Sequence, residues 1–463
     1  MLDAVSDFFG FLWGGPMFVV VFGVGLYFTF KLKFFQLFNP GYIWQNTVRT
    51  LFGRNKQDTT GEGQLKSLQV AAAVLSGTLG AGSIAGVATA IATGGPGAIF
   101  WMWVVAFVGM ITKFVEVTLA VYYREQNKQG EFYGGPMYYI RKGLGSKWTP
   151  LATTYTIALL VFVTTDAGFV QTNTMASTLN GMFGIPTWIT GIGIALIGAL
   201  VIFRGIKALG AFCTFVLPPI VLLYYIGAGW VILTNLQGIP QMFAGIVHYA
   251  FAPGPIAGGI IGSTIMTAIS RGAARGLFTN EAGMGTSATV HATANVDHPI
   301  RQGMWGIVEV FVVSFITCNV TAFMVLLVGM QSLTADAGIL NAFHALGTAW
   351  PPVLVQVMSF GISLILFTSY LGSFIRFRTA LYDLLGDTGE RILKWAYFIP
   401  PLIAVNMEIP VIWLMADVAV GFLIIPNLIA LFGLRHVFMR LYEDFRARDK
   451  AGTLHEPINI LQP

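Results

Sequence analysis

The chain has 463 residues, of which 55% are hydrophobic and only 10% are charged, and its formal net charge is +5. With a mean hydropathy of +0.72, the chain has too few polar side chains to cover a domain of this size in water, which excludes a soluble globular protein. Its two cysteines, Cys213 and Cys318, both lie in apolar runs, which excludes a disulfide framework and a cysteine-based metal site, and we expect no cofactor.

Eleven apolar runs are long enough to cross a bilayer, and they lack the period-two alternation of a membrane barrel, so we predict helices. The first six predicted spans, numbered in chain order, are Pro16–Phe30, Ser67–Thr93, Ala98–Tyr123, Leu151–Phe183, Thr187–Gly205 and Ala211–Thr234. The last five are Gly258–Val296, Gly303–Met330, Pro352–Arg376, Ile392–Met407 and Val411–Phe432. Span 1 has no basic flank or cleavage site and is predicted to be retained. The tail is predicted to form a short amphipathic helix on the inner surface.

Basic residues fall in alternate connections, which predicts the orientation, because Lys and Arg are retained on the cytoplasmic side. Nearly all of them lie in segments 31–66, 124–150, 204–210, 297–302, 376–395 and 433–450. None lies in segments 94–97, 184–186, 235–257, 331–351 and 408–410. We therefore predict a multi-pass protein of the inner or plasma membrane, with its N-terminus outside and its C-terminus in the cytoplasm. The positive charge is then explained by membrane orientation and by affinity for anionic lipid headgroups, and nothing indicates nucleic-acid binding.

Two of the predicted spans contain glycine and polar residues at mid-depth. Span 2 reads SGTLGAGSIAG over Ser76–Gly86, and span 7 reads RGLFTNEAGMGTSA over Arg275–Ala288. Glycine disfavours a helix by about 1 kcal/mol relative to alanine, although small residues also let membrane helices pack closely. Span 7 is the sixth span counted from span 2, so each interruption opens a unit of five spans. An odd number of spans inverts the second unit, which predicts two inverted repeats with broken first helices.

The predicted organisation divides the chain into five parts. They are an N-terminal helix with an amphipathic connection (1–66), a first repeat (67–234), an external connection (235–257), a second repeat (258–432) and a cytoplasmic tail (433–463).

A binding site is predicted at mid-depth, between the two interruptions. The positive N-terminal ends of half-helices can hold a carboxylate, and free carbonyls and hydroxyls can replace the water around Na⁺. Four residues there supply polar side chains: Thr78, Ser83, Thr279 and Asn280. Three small residues leave room beside the backbone: Gly80, Ala81 and Gly82. The space predicts a small substrate.

Six stretches, in this order, resemble the alanine or glycine:cation symporter family over nearly the whole chain. They are GTLGAGSIAGVATAIATGGPGAIFWMW (Gly77–Trp103), KFVEVTLAVYYRE (Lys113–Glu125), GGPMYYIRKGLG (Gly134–Gly145), RGLFTNEAGMGTSA (Arg275–Ala288), HPIRQGMWGIVEVF (His298–Phe311) and IPNLIAL (Ile425–Leu431). The resemblance implies an all-α, LeuT-like fold. It also implies sodium-coupled import of alanine or glycine by alternating access, with substrate held by the two unwound segments and by spans 4 and 9.

Carried over residue by residue, the resemblance implies a site for each ligand. The expected substrate-binding residues are Thr78, Gly80, Ala81, Gly82, Ser83, Gln171, Phe278, Thr279 and Asn280. The expected cation-binding residues are Thr78, Gly80, Thr368 and Ser369. The hydroxyls of Thr368 and Ser369 could instead make ordinary bonds to their own helix. Five positions of this chain depart from the family pattern, which puts substrate size and coupling ion in doubt. This chain has Ser83 where the family has Asn, Thr368 where it has Trp, Ser373 where it has Glu, Val313 where it has Asp and Val420 where it has Asn.

Charged residues within spans are costly in lipid and are therefore functional candidates. Asp166 lies five residues before Gln171, so it is a candidate cation or proton ligand, or else a residue of an aqueous vestibule. Lys113 and Glu116 have helical i,i+3 spacing and are predicted to form a structural ion pair.

Four further ionisable residues lie within or beside the last five spans. Glu281 is predicted to pair with Arg271 or Arg275 and so to hold the interruption of span 7 in place. Glu309, Asp417 and His291 are interpreted as structural or packing residues.

The predicted function is symport of a small neutral amino acid with sodium. The alternatives are proton coupling, an altered specificity for small amino acids, and a sensor that binds substrate without transporting it. A membrane enzyme is disfavoured because the sequence contains no Ser/His/Asp set and no HExxH. A channel would favour oligomeric symmetry and a filter loop. The expected partners are the amino acid, sodium and membrane lipid, and a monomer is compatible with this pattern.

Overall fold

The structure is a computed structural model, and it describes residues 12–13, 15–52, 65, 67–252, 265–328 and 338–454. The N-terminal helices are α1 (Pro16–Lys31), α2 (Phe35–Phe38), α3 (Pro40–Asn46) and α4 (Val48–Phe52). They are followed by α5 (Ser67–Thr78), α6 (Val87–Gly94, preceded by a π-helical turn over Gly82–Gly86) and α7 (Gly97–Tyr122). A short antiparallel hairpin, β1 (Glu125–Gln126) and β2 (Phe132–Tyr133), comes next.

The middle of the chain continues as helices. These are α8 (Pro136–Tyr139), α9 (Thr149–Val163), α10 (Thr172–Phe183, joined to α9 by a π-helical stretch over Thr164–Gln171), α11 (Thr187–Ile202), α12 (Ile206–Thr234) and α13 (Ile239–Phe251). Short π and 3₁₀ turns over Ile140–Leu144, Ser146–Trp148 and Leu236–Gly238 connect some of them.

The last part of the described chain is also helical. Its helices are α14 (Ile265–Asn280), α15 (Thr286–His291), α16 (Pro299–Val310), α17 (Cys318–Val328, joined to α16 by a π-helical stretch over Phe311–Thr317), α18 (Leu340–Gly347), α19 (Pro352–Leu393), α20 (Pro400–Ala404, after a 3₁₀ turn over Lys394–Phe398), α21 (Ile409–Gly433) and α22 (Arg435–Ala451).

Within the described residues, six helices are long and apolar enough to cross a membrane, and the bent pair α5 and α6 provides a seventh span. The all-helical prediction is therefore confirmed. Spans 1 to 6, 9 and 11 correspond to helices that begin and end within a few residues of the predicted limits or extend beyond them. Parts of predicted spans 7 and 8, and parts of segments 1–66, 235–257, 331–351 and 433–463, lie outside the described residues.

Predicted span 10 differs most from the structure, because no uninterrupted helix covers Ile392–Met407. Helix α19 continues past the predicted end of span 9, and Gly386 at φ 65° divides it. The 3₁₀ turn follows, and Pro400 starts the five-residue α20. Segment 235–257, which was predicted to be an external connection, also contains a helix, α13, that was not predicted. The amphipathic tail helix is present as α22, with Val437, Phe438 and Leu441 among its buried residues.

The two bent spans lie between helices α7 and α19. Helix α7 packs against α14, α15 and α16, whereas α19 packs against α5, α10 and α12 and also contacts α15. Close approach of α7 and α14 depends on a small residue, since a Cβ added at Gly272 would lie 2.9 Å from Trp101 Cβ. The interrupted segments are thereby enclosed on both sides by protein, where irregular backbone can be tolerated at membrane depth.

Candidate functional site

The second predicted span is bent where its glycine-rich sequence predicted an interruption. Helix α5 ends at Thr78, and the chain turns by 42° before the helix resumes at Gly82. We call residues 79–81 the first break. The Gln171 side chain enters it, because the backbone N–H of Ala81 donates to Gln171 Oε1 at 2.8 Å. A Cβ added at Gly80 would overlap Gln171 and lie 2.6 Å from Ser369 Oγ, so only glycine fits there.

The seventh predicted span is interrupted over residues 281–285, which we call the second break. Glu281, Gly283 and Gly285 all have positive φ, at 54°, 87° and 72°. The Asn280 side chain accepts a hydrogen bond from the N–H of Ala282 at 3.0 Å, an Asx-type contact that stabilises the turn. Phe278, expected in the unwound segment, instead lies in the last turn of α14, as do its neighbours Thr279 and Asn280. The sequence placed this interruption slightly too early.

The two broken spans meet at Gly82. A Cβ there would lie 3.0 Å from Thr279 Oγ1 and 3.1 Å from Phe278 Cδ1. The Phe278 ring packs edge-on against Trp413, with centroids 5.1 Å apart. The structure therefore brings Gly80, Ala81, Gly82, Gln171, Phe278 and Thr279 together, and their role in binding substrate stays a prediction. Asn280 faces elsewhere, donating to Ser314 Oγ at 3.3 Å.

The predicted cation-binding hydroxyls divide into two groups. Ser369 Oγ donates to the carbonyl of Gly77 at 3.0 Å, so this side chain reaches the end of α5 that precedes the first break. Thr368 Oγ1 donates to Ile365 O at 2.8 Å and Thr78 Oγ1 to Val74 O at 3.1 Å, both within their own helices. For Thr368 and Thr78 the ordinary helix-bonding alternative therefore describes the structure.

Gln171 links the first break to a buried group of charges. Its Nε2 donates to Asp166 Oδ1 at 2.9 Å, and Asp166 Oδ2 lies 3.8 Å from Arg376 Nη1. The same nitrogen of Arg376 lies 2.8 Å from Glu281 Oε1 in the second break. We call Arg376, Asp166 and Glu281 the Arg376 cluster. Asp166 is only 3% exposed, so in this structure it does not line an aqueous vestibule.

Glu281 was predicted to pair with Arg271 or Arg275, and this prediction is wrong. Its partners are Arg376 and the hydroxyl of Thr286. Arg275 instead forms a two-point pair with Asp417, at 3.0 and 2.9 Å. Arg376 had been assigned to a cytoplasmic connection because it closes span 9, yet it is fully buried.

The predicted pair of Lys113 with Glu116 is also wrong. Lys113 Nζ donates to Ser287 Oγ at 2.6 Å and lies 3.7 Å from Glu309, whereas Glu116 accepts from Asn427 at 2.7 Å. The i,i+3 spacing permits a contact between neighbours on one helix, but residues on facing helices are closer. Glu309 also contacts His291 Nε2 at 3.1 Å, in keeping with the structural roles predicted for both.

The departures from the family pattern occupy small, buried positions. Ser83 Oγ donates to Gly80 O at 3.1 Å, and its carbonyl accepts from Thr321 at 2.9 Å. Val313 and Val420 are buried. Among the described residues Ser373 Oγ has no hydrogen-bond partner. The Ser83 hydroxyl therefore stabilises the backbone at the edge of the first break through its bond to Gly80 O.

Bent helices that meet around buried polar groups, within a bundle of membrane-length helices, define a class of multi-pass membrane transporters. The model of the sodium:alanine symporter family matches residues 1–459, and the chain belongs to that family. The family is one of transporters, not enzymes.

Relatives of known name are similar over almost their whole length. The chain is 34% identical to the sodium/alanine symporter AgcS of Methanococcus maripaludis, over 93% of this chain and 94% of the relative. It is also 34% identical to the amino-acid carrier protein AlsT of Bacillus subtilis, over 98% and 93%. A solved manganese transporter from Eremococcus coleocola covers 87% of this chain and 78% of its own at 13% identity, with a TM-score of 0.48, too low to assign the fold. The chain is therefore an amino-acid:cation symporter of a multi-pass membrane type.

Proposed function

We propose that the protein imports a small neutral amino acid, alanine or glycine, together with sodium by alternating access. The observation that carries this proposal is the contact between the two broken spans at Gly82, beside the Gln171 side chain on Ala81 N–H. Only a small ligand suits a site where single added carbon atoms would already meet Thr279 and Phe278. The name of the AgcS relative agrees with this choice of substrate and ion.

The proposed binding mode uses backbone groups exposed at the breaks. The π-helical turn that leads into α6 begins at Gly82, and there a substrate carboxylate would be stabilised by the helix dipole and free N–H groups. Sodium would bind the carbonyls next to the first break and the Ser369 hydroxyl, because a hard cation prefers oxygen ligands. Gly77 O already lies 3.0 Å from that hydroxyl.

The proposed architecture has eleven spans, with the N-terminal α1 followed by two inverted repeats of five. The N-terminus would lie outside and α22 in the cytoplasm of a cell or inner membrane, because the basic residues segregate that way. Both native cysteines are buried, so a single cysteine introduced at Arg446 in α22 can be labelled specifically. Labelling by an impermeant maleimide should require permeabilised cells, and labelling in intact cells would contradict this topology.

Transport by purified protein in proteoliposomes tests the function. Radiolabelled alanine and glycine should accumulate when an inward Na⁺ gradient is imposed and should not accumulate with K⁺ in its place. Counterflow of external label against internal unlabelled substrate should occur, since only a transporter exchanges the two. Accumulation driven by a pH gradient without Na⁺ would replace sodium by a proton, for which Asp166 is the candidate carrier. Binding without counterflow would indicate a sensor.

A further inference from the structure

Arg376 is a buried cation whose hydrogen-bonding capacity is largely unused. Its side chain is 0% exposed, Nη1 lies 2.8 Å from Glu281 Oε1, and within the described part of the chain Nε and Nη2 have no hydrogen-bond partner. A guanidinium has five N–H donors in a fixed fork, and leaving them unsatisfied in a buried place is costly. The Arg376 side chain therefore has unused capacity for an acceptor such as a carboxylate.

A second buried arginine shows how the same chain satisfies such a group. Arg275 donates from both terminal nitrogens to Asp417, at 3.0 and 2.9 Å, and its guanidinium lies 4.1 Å over the Trp413 ring. Arg376 instead contacts Glu281 through Nη1 alone, at 2.8 Å, and lies 3.8 Å from Asp166. Burial alone does not explain this contrast, because both arginines are buried.

The Arg376 guanidinium lies between the two broken spans. A Cβ added at Gly77, in the last turn of α5, would lie 2.6 Å from Arg376 Nη2, and Glu281 belongs to the second break. Along α19, Arg376 is two turns or roughly 10 Å beyond Ser369. That direction leads toward the end of the molecule that carries Arg378, Arg391 and Lys394, which we propose to be the cytoplasmic end.

The charges of the Arg376 cluster favour a particular class of ligand. One guanidinium and two carboxylates give a net charge of −1 when all three are ionised. A zwitterion adds no net charge, since its carboxylate can take the guanidinium while its ammonium takes the carboxylate that the guanidinium leaves. A carboxylic acid alone would bring the net charge to −2, and an amine alone, although it would cancel the net charge, would leave the guanidinium without a further acceptor.

We propose that Arg376, Asp166 and Glu281 form a second binding position for a zwitterionic α-amino acid, between the two broken spans and about two turns of α19 beyond Ser369. The guanidinium receives the α-carboxylate, and Asp166 or Glu281 receives the α-ammonium. The substrate occupies this position while it passes between the proposed site beside the first break, which we call the first site, and the cytoplasm. This inference rests on the proposed function, because it requires that an amino acid be transported.

The test removes the guanidinium without changing the net charge of the cluster. Arg376→Gln combined with Glu281→Gln removes one positive and one negative charge, so the cluster keeps its net charge of −1, and Asp166 keeps the hydrogen bond from Gln171. The matched control is Arg275→Gln with Asp417→Asn, the same chemical change at a fully bonded pair. Gel filtration and thermal unfolding of each purified variant identify those that fold.

Two measurements separate binding from passage. Equilibrium binding of radiolabelled alanine to the Arg376 and Glu281 double variant should stay within about threefold of wild type, because the first site is intact. Its counterflow rate in proteoliposomes should fall about tenfold or more, through loss of a charge-assisted bidentate contact. The control pair should exchange within about threefold of wild type. A wild-type counterflow rate in the variant with Arg376→Gln and Glu281→Gln, or an equal fall of the rate in the control, would overturn the proposal.

Arg376→Lys keeps the charge and provides a second variant should the Gln pair fail to fold. A point charge replaces a bidentate fork, so exchange should slow about threefold or more while binding is retained. If this variant exchanges at the wild-type rate, the proposal is overturned. If wild-type protein shows no amino-acid counterflow at all, it is the proposed function that fails.

Discussion

The first break and the second break differ in what keeps each helix interrupted. In the first break, the freed N–H of Ala81 is bonded by Gln171, a side chain from the π-helical stretch between α9 and α10. In the second break, Asn280 bonds the neighbouring Ala282, and the backbone takes positive φ at Glu281, Gly283 and Gly285. Other helices hold both breaks, since Tyr155 donates to Met284 O at 2.7 Å and Asn427 to Gly283 O at 2.8 Å, but only the second break also has three residues with positive φ.

This contrast assigns different roles to the two breaks. A break held by other helices changes when those helices move, which suits a segment that responds to substrate and cation. The second break is held in addition by its own positive-φ residues, so its shape depends more on local backbone conformation. Substitutions at the first break should therefore act on binding and transport, and substitutions of Asn280 and of the positive-φ glycines of the second break should act on stability.

The largest effect is expected from Gly80→Val. Its side chain would overlap Gln171 and lie against Ser369 Oγ, which forces the first break open and removes the space for substrate. Uptake of radiolabelled alanine should be abolished while the protein still inserts in the membrane. Gly193→Val in α11 is the control, because nothing lies within 4 Å of an added Cβ there. Measurable uptake by Gly80→Val would show that the first break is not a close-fitting site.

Gly285→Ala should destabilise the protein by about 1–3 kcal/mol. The residue has φ 72°, and an added Cβ would overlap Pro136 and lie 3.1 Å from the Tyr155 hydroxyl. Thermal unfolding of purified protein measures the loss. Gly184→Ala provides the comparison, since its φ of 68° is similar but the space around it is open, so it should lose less stability. Equal losses would mean that backbone conformation alone matters at both positions.

Gln171→Ala should weaken alanine binding about tenfold, because the Ala81 N–H loses its acceptor and the shape of the first break is no longer maintained. The melting temperature should change by only a few degrees. Asn280→Ala is the counterpart at the second break and should lower the melting temperature with little change in affinity. If the two variants showed the reverse pattern, the roles assigned to the breaks would be exchanged.

The smallest effect distinguishes two adjacent hydroxyls. Ser369→Ala removes the contact with Gly77 O and should raise the Na⁺ concentration for half-maximal uptake about threefold or more, in line with the loss of one ligand or hydrogen bond. Thr368→Val should leave it nearly unchanged, because that hydroxyl bonds only within α19. An unchanged Na⁺ dependence in Ser369→Ala would remove this serine from the proposed cation site.

Most helices could be predicted because a membrane span is recognisable from the composition of its own residues. A long apolar run must satisfy its backbone hydrogen bonds within itself, so composition alone indicates α1, α7 and α21. Span 10 could not be predicted because hydropathy does not register the turn at Gly386 or the short helix that begins at Pro400. Helix α13 was missed because a short uncharged segment looks like a connection when only long spans are sought.

Most of the candidate site could also be found from the sequence. Glycine clusters indicated both interruptions, and the family resemblance indicated Gln171. Partners of charged residues were predicted from sequence proximity, and this rule failed. Lys113 and Glu281 both pair with residues on distant parts of the chain, which only packing brings close.

The sequence by itself determined the membrane setting, the helical class, the family and the approximate position of both breaks, because these depend on local composition and on what lipid demands of a backbone. Only the tertiary structure decided how the buried charges are distributed. Arg376 and Arg275 are similar in sequence terms, each an arginine near a predicted span end or break. Arg275 donates from both terminal nitrogens to Asp417, whereas Arg376 lies 2.8 Å from Glu281 and 3.8 Å from Asp166. The reason is physical: an ion pair depends on the distance between helices, and that distance is set by the packing of the whole bundle.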